Sequence, residues 1–179
     1  MKTVIGIIGP IASGKDTAAA YIAKKIGCPI VEVSGYLKEL AVKKGVKVNR
    51  QNLVDFGTRI VRDYGHDYIP KMLLGRINEN GIVTGMRQTS QIEYLRAHSK
   101  LVLISIDANP EIRFKRAQIR HRLGEATTLD EFIKFEQEEN SGDHVQRLFE
   151  CMKMADYHII NNEKEKELYS KLDCILGLH

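Results

Sequence analysis

The 179-residue sequence has no tryptophan, only four prolines and three cysteines, and no long apolar run. A membrane-spanning helix needs roughly 18 to 20 mostly apolar residues. The first apolar stretch, Val4 to Ile8, is much shorter and leads directly into glycines. We therefore expect no membrane association, and the absence of a recognisable signal segment favours a cytoplasmic location.

The three cysteines, Cys28, Cys151 and Cys174, lie far apart, without CxxC spacing and without a neighbouring pair of histidines. An odd, scattered set argues against a disulfide framework and against a structural zinc site. Buried, unreactive thiols are the simpler interpretation. The six histidines likewise show no ligand spacing, so we interpret them as surface or structural residues.

The sequence also lacks blocks of one charge. Its formal net charge is +4, and basic residues are interleaved with acidic ones, which suits an anionic small ligand and gives no indication of a nucleic-acid partner. The 43% hydrophobic and 28% charged residues are typical of a globular protein. We find no repeat or linker, so we predict a single domain over residues 1–179 and leave the oligomeric state open.

What the sequence does contain is an alternation of short β-branched runs with longer amphipathic segments. The predicted strands are Thr3–Ile8, Pro29–Val33, Gly81–Thr84, Leu101–Ile106 and Tyr157–Ile160. They are almost continuously apolar, as strands covered on both faces should be. This pattern predicts an α/β fold in which a parallel sheet of about five strands lies between two helical layers.

The predicted helices follow from periodicity and from end signals. After the first strand, Ala18 and Ile22 share one helical face, and Gly27 ends the helix. A second helix carries an apolar stripe, which consists of Leu53, Phe56, Ile60 and Tyr64. Thr128 and Glu131 form a predicted capping box.

Two segments are predicted to cover the strand ends. The helical stretch of about 34–80 is longer than a crossover needs, so we predict a small cap beside the edge where open α/β sheets bind ligands. A glycine-containing loop at about 121–128 is predicted to close as a lid.

Residues 9 to 17 read GPIASGKDT, which satisfies the pattern G-x-x-x-x-G-K between a predicted strand and a predicted helix. Glycines let the backbone curl so that successive amides point at phosphate oxygens, and the start of the helix adds a positive dipole. A plain strand–turn–helix corner is the alternative, but the flanking elements favour a phosphate-binding loop. The predicted nucleotide-binding residues are Gly9, Ile11, Ala12, Ser13, Gly14, Lys15, Asp16 and Thr17.

Two residues of this loop are predicted to contact Mg²⁺. The position after Lys15 is commonly Ser or Thr in such loops, and here it is Asp16, followed by Thr17. A carboxylate is a hard oxygen ligand that holds Mg²⁺ directly or through water. Asp16 also complements the helix dipole, and the two roles are compatible.

Arginines elsewhere in the chain supply the positive charge that phosphoryl transfer requires. Arg59 and Arg62 lie on one flank of a predicted helix, and Arg87 follows the third strand. Arg116 and Arg120 lie on a later helix, in one stripe with Arg113. Such stripes are often solvated faces. Next to a phosphate loop, we predict catalytic roles for Lys15, Arg87, Arg116 and Arg120.

With these residues in view, the chain resembles the nucleoside-monophosphate-kinase-like branch of P-loop kinases. GPIASGKDT is similar to the loop of phage-type deoxynucleoside monophosphate kinases and also resembles that of dephospho-CoA kinases and their archaeal relatives. SGYLKELAVKKG with RQNLVDFGTRIVRDYG resembles the cap pattern, VTGMR the strand-end arginine element, and ADYHIINN the final strand. The resemblance implies ATP and Mg²⁺ as co-substrate and cofactor. It also implies acceptor contacts at Ser34, Lys38, Arg59, Arg62 and Arg87.

Two positions depart from the pattern. Thr84 stands where an acidic residue is expected at the end of the third strand, and Ser34-Gly35 stands where relatives often carry an Asp. Three functions therefore stay open. The first is an ATP-dependent kinase of a nucleoside or deoxynucleoside monophosphate. The second is a dephospho-CoA kinase-like enzyme, and the third is a nucleotide-binding regulator or NTPase without an acceptor.

Overall fold

The computed structural model describes residues 1–120, 126–140 and 147–178, and only the backbone of residues 50, 51, 139 and 140. The strands are β1 (Thr3–Ile8), β2 (Ile30–Glu32), β3 (Asn80–Thr84), β4 (Lys100–Asp107) and β5 (Tyr157–Ile160). The helices are α1 (Lys15–Ile26), α2 (Val33–Lys43), α3 (Arg50–Tyr64), α4 (Tyr68–Gly75), α5 (Thr89–His98), α6 (Pro110–Ile119), α7 (Leu129–Asn140), α8 (Leu148–Lys153) and α9 (Glu165–Leu176).

The five strands form one parallel sheet in the order β2-β3-β1-β4-β5. This confirms the predicted α/β class and the predicted number of strands. β1 lies at the centre, paired with β3 on one side and β4 on the other. Its burial is nearly complete, which explains why its sequence is apolar on both faces.

Alternate residues of the strands feed two separate cores. Val4 and Ile8 of β1 pack with the helices between β2 and β3 and with α5 and α8. Ile5 and Ile7 point to the opposite face and pack with α1 and α9. The sheet is therefore covered on both faces, as the continuous apolar runs predicted.

The helix-end predictions are confirmed at both positions. The backbone amide of Glu131 donates to Thr128 Oγ1 at 3.3 Å, and the amide of Thr128 donates to Glu131 Oε2 at 3.1 Å. This reciprocal pair is a capping box at the start of α7. Helix α1 ends at Gly27, whose φ is 66°.

Three details differ from prediction. Val33 begins helix α2 instead of ending the second strand, so Ser34 lies in a helix. Tyr64 was predicted on an apolar stripe, but its ring is 52% exposed because it lies in the last turn of α3, beyond the core. All three cysteines are free and Cys151 is buried, whereas Cys174 is exposed, so the prediction of buried thiols was wrong for Cys174.

Helices α2, α3 and α4 occupy the stretch predicted as the cap, between β2 and β3. The predicted lid begins in residues 121–125, which lie outside the described residues. Among the helices that the structure describes, none is both long and apolar enough to cross a bilayer.

Candidate active site

The carboxyl ends of the central strands meet at one edge of the sheet, and the candidate site lies there. Thr84, the last residue of β3, is in register with Ile7 of β1 and with Glu32 of β2. On the other side, Ile8 is in register with Ser105 of β4. The loops that follow these strands are therefore neighbours, although they are distant in sequence.

Two residues of the loop after β1 have a left-handed backbone, a feature of phosphate-binding nests. Gly14 has a φ of 102°, and Ala12 is the one non-glycine residue with a positive φ in the described chain, at 58°. Left-handed residues between right-handed ones turn successive amides toward one concavity. Gly9 is also required sterically, because a Cβ there would lie 2.0 Å from the carbonyl oxygen of Ile106.

Lys15 and Asp16 begin helix α1 directly after this loop. Lys15 Nζ lies 3.7 Å from Asp16 Oδ1, and the side chains are 19% and 50% exposed. Thr17 follows in the same turn and lines a small concavity on the α9 side of the loop. Ser13 is fully buried, and its hydroxyl has no hydrogen-bond partner among the described residues.

A cavity of about 410 Å³ lies between the cap helices and the end of β3. Its wall is mostly apolar, with contributions from Val33, Leu37, Val48, Leu53, Val54 and Ile69. Three of the five predicted acceptor-binding residues, Ser34, Lys38 and Arg87, line it. Arg59 and Arg62 do not: Arg59 lies over the ring of Phe56, and Arg62 pairs with Asp63.

The backbone amide and the backbone carbonyl of Arg87 both form hydrogen bonds. Its amide donates to Gln91 Oε1 at 3.0 Å, and its carbonyl accepts from the amide of Arg147 at 2.7 Å. These bonds tie the turn after β3 to α5 and to the start of α8. They fix the backbone of Arg87, a half-buried residue that lines the cavity.

Glu32 is an acidic residue of this edge that the sequence analysis missed. It ends β2, in register with Thr84, and its carboxylate accepts a 2.6 Å hydrogen bond from Ser34 Oγ. Its Cγ lies 3.6 Å from where a side chain on Gly85 would begin. A carboxylate therefore lies beside the position where Thr84 replaces the expected acid. The signal was present in the sequence, since Glu32 interrupts an apolar run at a predicted strand end.

Arg116 and Arg120 lie across the phosphate loop from this cavity. Both line the small concavity that contains Thr17, together with Gly14 and Asn161. Burial, and then the neighbouring charge of Arg120, lowers the pKa of Arg116, and Arg116 Nη1 is buried without a partner among the described residues. Two adjacent guanidinium groups of this kind favour an anion or an aromatic base as ligand.

The donor set at this edge fits Mg²⁺ bound with phosphates. Among the residues that the structure describes, no three His, Cys, Asp or Glu side chains cluster as a metal site. Mg²⁺ usually retains several waters and takes one or two carboxylates plus substrate phosphates. Asp16 beside the loop is a carboxylate of that kind, and Thr17 supplies a hydroxyl.

The site and the sheet together define a P-loop kinase-like fold, and comparisons with solved structures agree. A shikimate kinase from Acinetobacter baumannii in complex with shikimate matches with a TM-score of 0.61 and 16% identity, covering 99% of this chain and 94% of that one. A gluconokinase from Sinorhizobium meliloti matches with a TM-score of 0.58 and 14% identity, covering 98% and 91%.

In sequence, the chain is similar to a UPF0200 protein of Methanocaldococcus jannaschii. The two are 28% identical over 179 residues, covering 97% of this chain and 88% of the relative. A UPF0200/UPF0201 protein of Archaeoglobus fulgidus is 29% identical over 181 residues, covering 97% of this chain and 54% of that protein. No protein-family model matches the chain.

Proposed function

We propose that this protein is an ATP- and Mg²⁺-dependent kinase that phosphorylates a small phosphorylated acceptor, namely a nucleoside or deoxynucleoside monophosphate. One observation carries the proposal. A cavity large enough for a small ligand, lined by Arg87 and Lys38, adjoins the strand edge that bears the phosphate loop. Donor and acceptor phosphates would therefore meet at neighbouring strand ends.

The charge of the cap supports an anionic acceptor. Residues 33–64 contain seven basic and three acidic residues. The formal net charge of this segment is therefore +4, the same as that of the whole chain. One of the acidic residues, Glu39, is already paired, because its carboxylate accepts two hydrogen bonds from the guanidinium of Arg76. Attraction of an anion toward the cavity follows from this excess of positive charge. Arg59 and Arg62, outside the cavity wall, would act through this field.

Catalysis in this proposal is positioning and charge stabilisation. The loop amides and Lys15 would hold the donor phosphates, and Arg87 would hold the acceptor phosphate. Arg116 and Arg120 would neutralise charge on the donor side. Asp16 and Thr17 would hold Mg²⁺ together with the phosphates, and the ion would supply positive charge that stabilises the transferred group.

A direct assay tests the proposal. Purified protein is given ATP, Mg²⁺ and each common ribo- and deoxyribonucleoside monophosphate, and diphosphate products are separated by anion exchange. We expect ADP together with the diphosphate of at least one acceptor. ATP binding without any acceptor product across this panel, and across dephospho-CoA, would instead favour the regulator or NTPase.

Arg87→Gln is expected to raise the KM for the acceptor by about 10- to 100-fold, because charge-assisted bonds to phosphate are worth about 1.5–3 kcal/mol. The KM for ATP should change less than about threefold. Steady-state kinetics with each substrate varied in turn measure both constants.

Arg62→Gln is the matched comparison. Arg62 is 73% exposed and pairs with Asp63 outside the cavity, so its effect on the acceptor KM should be smaller. Equal effects of the two substitutions would contradict the assignment of Arg87 as the phosphate contact.

Glu32 favours a second candidate, a kinase whose acceptor is a hydroxyl group, as in the dephospho-CoA kinase-like hypothesis. A hydroxyl must lose its proton during transfer, whereas a phosphate monoester is already an anionic nucleophile. Glu32 is not itself in the cavity wall, but its carboxylate is hydrogen-bonded to Ser34, which lines the cavity, and from there it would accept that proton.

Glu32→Gln separates the two candidates. We expect kcat to fall less than about tenfold if the acceptor is a monophosphate, since no general base is needed. A fall of about 100-fold or more would indicate proton transfer to Glu32 and a hydroxyl acceptor. Glu39→Gln, which neutralises a carboxylate of the cap that pairs with Arg76 and does not line the cavity, serves as the control.

A further inference from the structure

The phosphate loop is held from its outer side by two side chains. A backbone that turns amides inward must turn carbonyl groups outward, and buried carbonyls need donors. Ser13 O accepts from Asn161 Nδ2 at 2.8 Å, and Ile11 O accepts from Arg113 Nη1 at 3.5 Å. These two carbonyls flank Ala12, the residue with a φ of 58°.

Arg113 is the more unusual of the two supports, because it is a charged residue that is only 5% exposed. It forms a bidentate pair with Glu136 of α7, which is 8% exposed, with Nη2 and Oε2 2.8 Å apart. Its Nε donates to Ala108 O at 2.9 Å, in the connection between β4 and α6. One guanidinium thus contacts the phosphate loop, this connection and helix α7.

A contribution to folding stability does not by itself explain why this ion pair is buried. A buried ion pair loses most of its Coulomb attraction to desolvation, and apolar residues of similar size often replace it without loss of stability. What apolar residues cannot replace is the hydrogen bonding to the carbonyls of Ile11 and Ala108. Arg113 is therefore better explained by the geometry it imposes.

We propose that Arg113, oriented by Glu136, is a positioning residue for the phosphate loop. The inference rests on the proposed function in that the loop must bind a nucleotide. Holding Ile11 O outward supports the strained backbone of Ala12, so the loop is arranged before the ligand arrives. Since Arg116 lies on the same helix as Arg113 and Arg120 directly follows that helix, the pair also sets their placement relative to the loop.

The test replaces the pair by apolar residues. Arg113→Met with Glu136→Leu removes both charges together and leaves neither one buried alone. We expect the melting temperature to fall by only a few degrees, because replacing the pair itself is close to neutral while the carbonyls of Ile11 and Ala108 lose their donor. We expect the Kd for ATP to rise about tenfold, because a hydrogen bond from a charged donor to the loop is lost. Isothermal titration with ATP and Mg²⁺ measures the Kd, and differential scanning calorimetry measures the melting temperature.

Two further results distinguish failure of the positioning role from failure of the proposed function. A double variant that binds ATP within twofold of the unaltered protein would overturn the inference and leave the proposed function intact. Failure of the unaltered protein itself to bind ATP would overturn the proposed function instead. If the double variant does not fold, Arg113→Lys keeps a cation beside Glu136 but has a single nitrogen for the four partners of the guanidinium, which are Glu136, Asp107 and the carbonyls of Ala108 and Ile11. A normal Kd for ATP in that variant would equally exclude a positioning role.

Discussion

Replacing Lys15 with alanine is expected to lower kcat for phosphoryl transfer by about 100- to 1,000-fold, because a positioned cation facing the transferred group is lost. Lys15 begins α1 directly after the phosphate loop, and its side chain is 19% exposed. The point charge of an ammonium group in this position would reach the outer phosphates of the donor.

The fold should survive this change. Alanine is the best helix former, and Lys15 is at the first residue of the helix, outside both apolar cores. Single-turnover kinetics with γ-labelled ATP measure the loss, and circular dichroism verifies that the helix content is retained. Lys24→Ala, in the exposed last turn of the same helix, is the matched control. Unchanged transfer in the Lys15 variant would remove the proposed mechanism.

The fold was predictable because its signals are local. The apolar run Thr3–Ile8, the glycine-rich turn and the stripe of α1 are contiguous in sequence, and each specifies its own geometry. The capping box of Thr128 and Glu131 is contained within four residues. Such features do not depend on how distant elements pack, so they can be identified from one sequence.

The site residues that the sequence did not predict depend on contacts between elements that are far apart in the chain. Arg113 has the same helical spacing as Arg116 and Arg120, and nothing in the local pattern distinguishes a buried arginine from an exposed one. Its partner Glu136 lies 23 residues away on another helix. Glu32 was missed because the second strand is only three residues long. The resemblance therefore implies the acid two residues later, at Ser34.

The position of α3 explains why Arg59 and Arg62 lie outside the cavity wall. Phe56 and Ile60 fix the rotation of the helix, because both are buried in the core of the cap. With the helix in that orientation, Gly57 and Thr58 line the cavity instead of the arginines. The sequence predicts which residues share a face, but the orientation of that face toward a ligand depends on tertiary packing.

Gly14→Ala is expected to lower the free energy of unfolding by about 3 kcal/mol and to weaken ATP binding by about 100-fold, since two costs add. The first cost is the backbone, whose φ of 102° disfavours any residue with a side chain. The second is a clash, because the new Cβ would lie 2.3 Å from Asn161 Nδ2. Asn161 must then move, and Ser13 O loses its buried donor.

Gly27→Ala separates these two costs. Gly27 ends the same helix with a φ of 66°, and beyond its chain neighbours no atom of the described residues lies within 4 Å of where its Cβ would be. That substitution should therefore cost only about 1–2 kcal/mol of strain and leave the Kd for ATP unchanged. Urea unfolding and titration with ATP measure both quantities in both variants. Asn161 contacts the loop at Ser13 and Gly14, whereas Gly27 lies at the other end of the helix, so equal effects in the two variants would mean that the contact with Asn161 does not shape the nucleotide site.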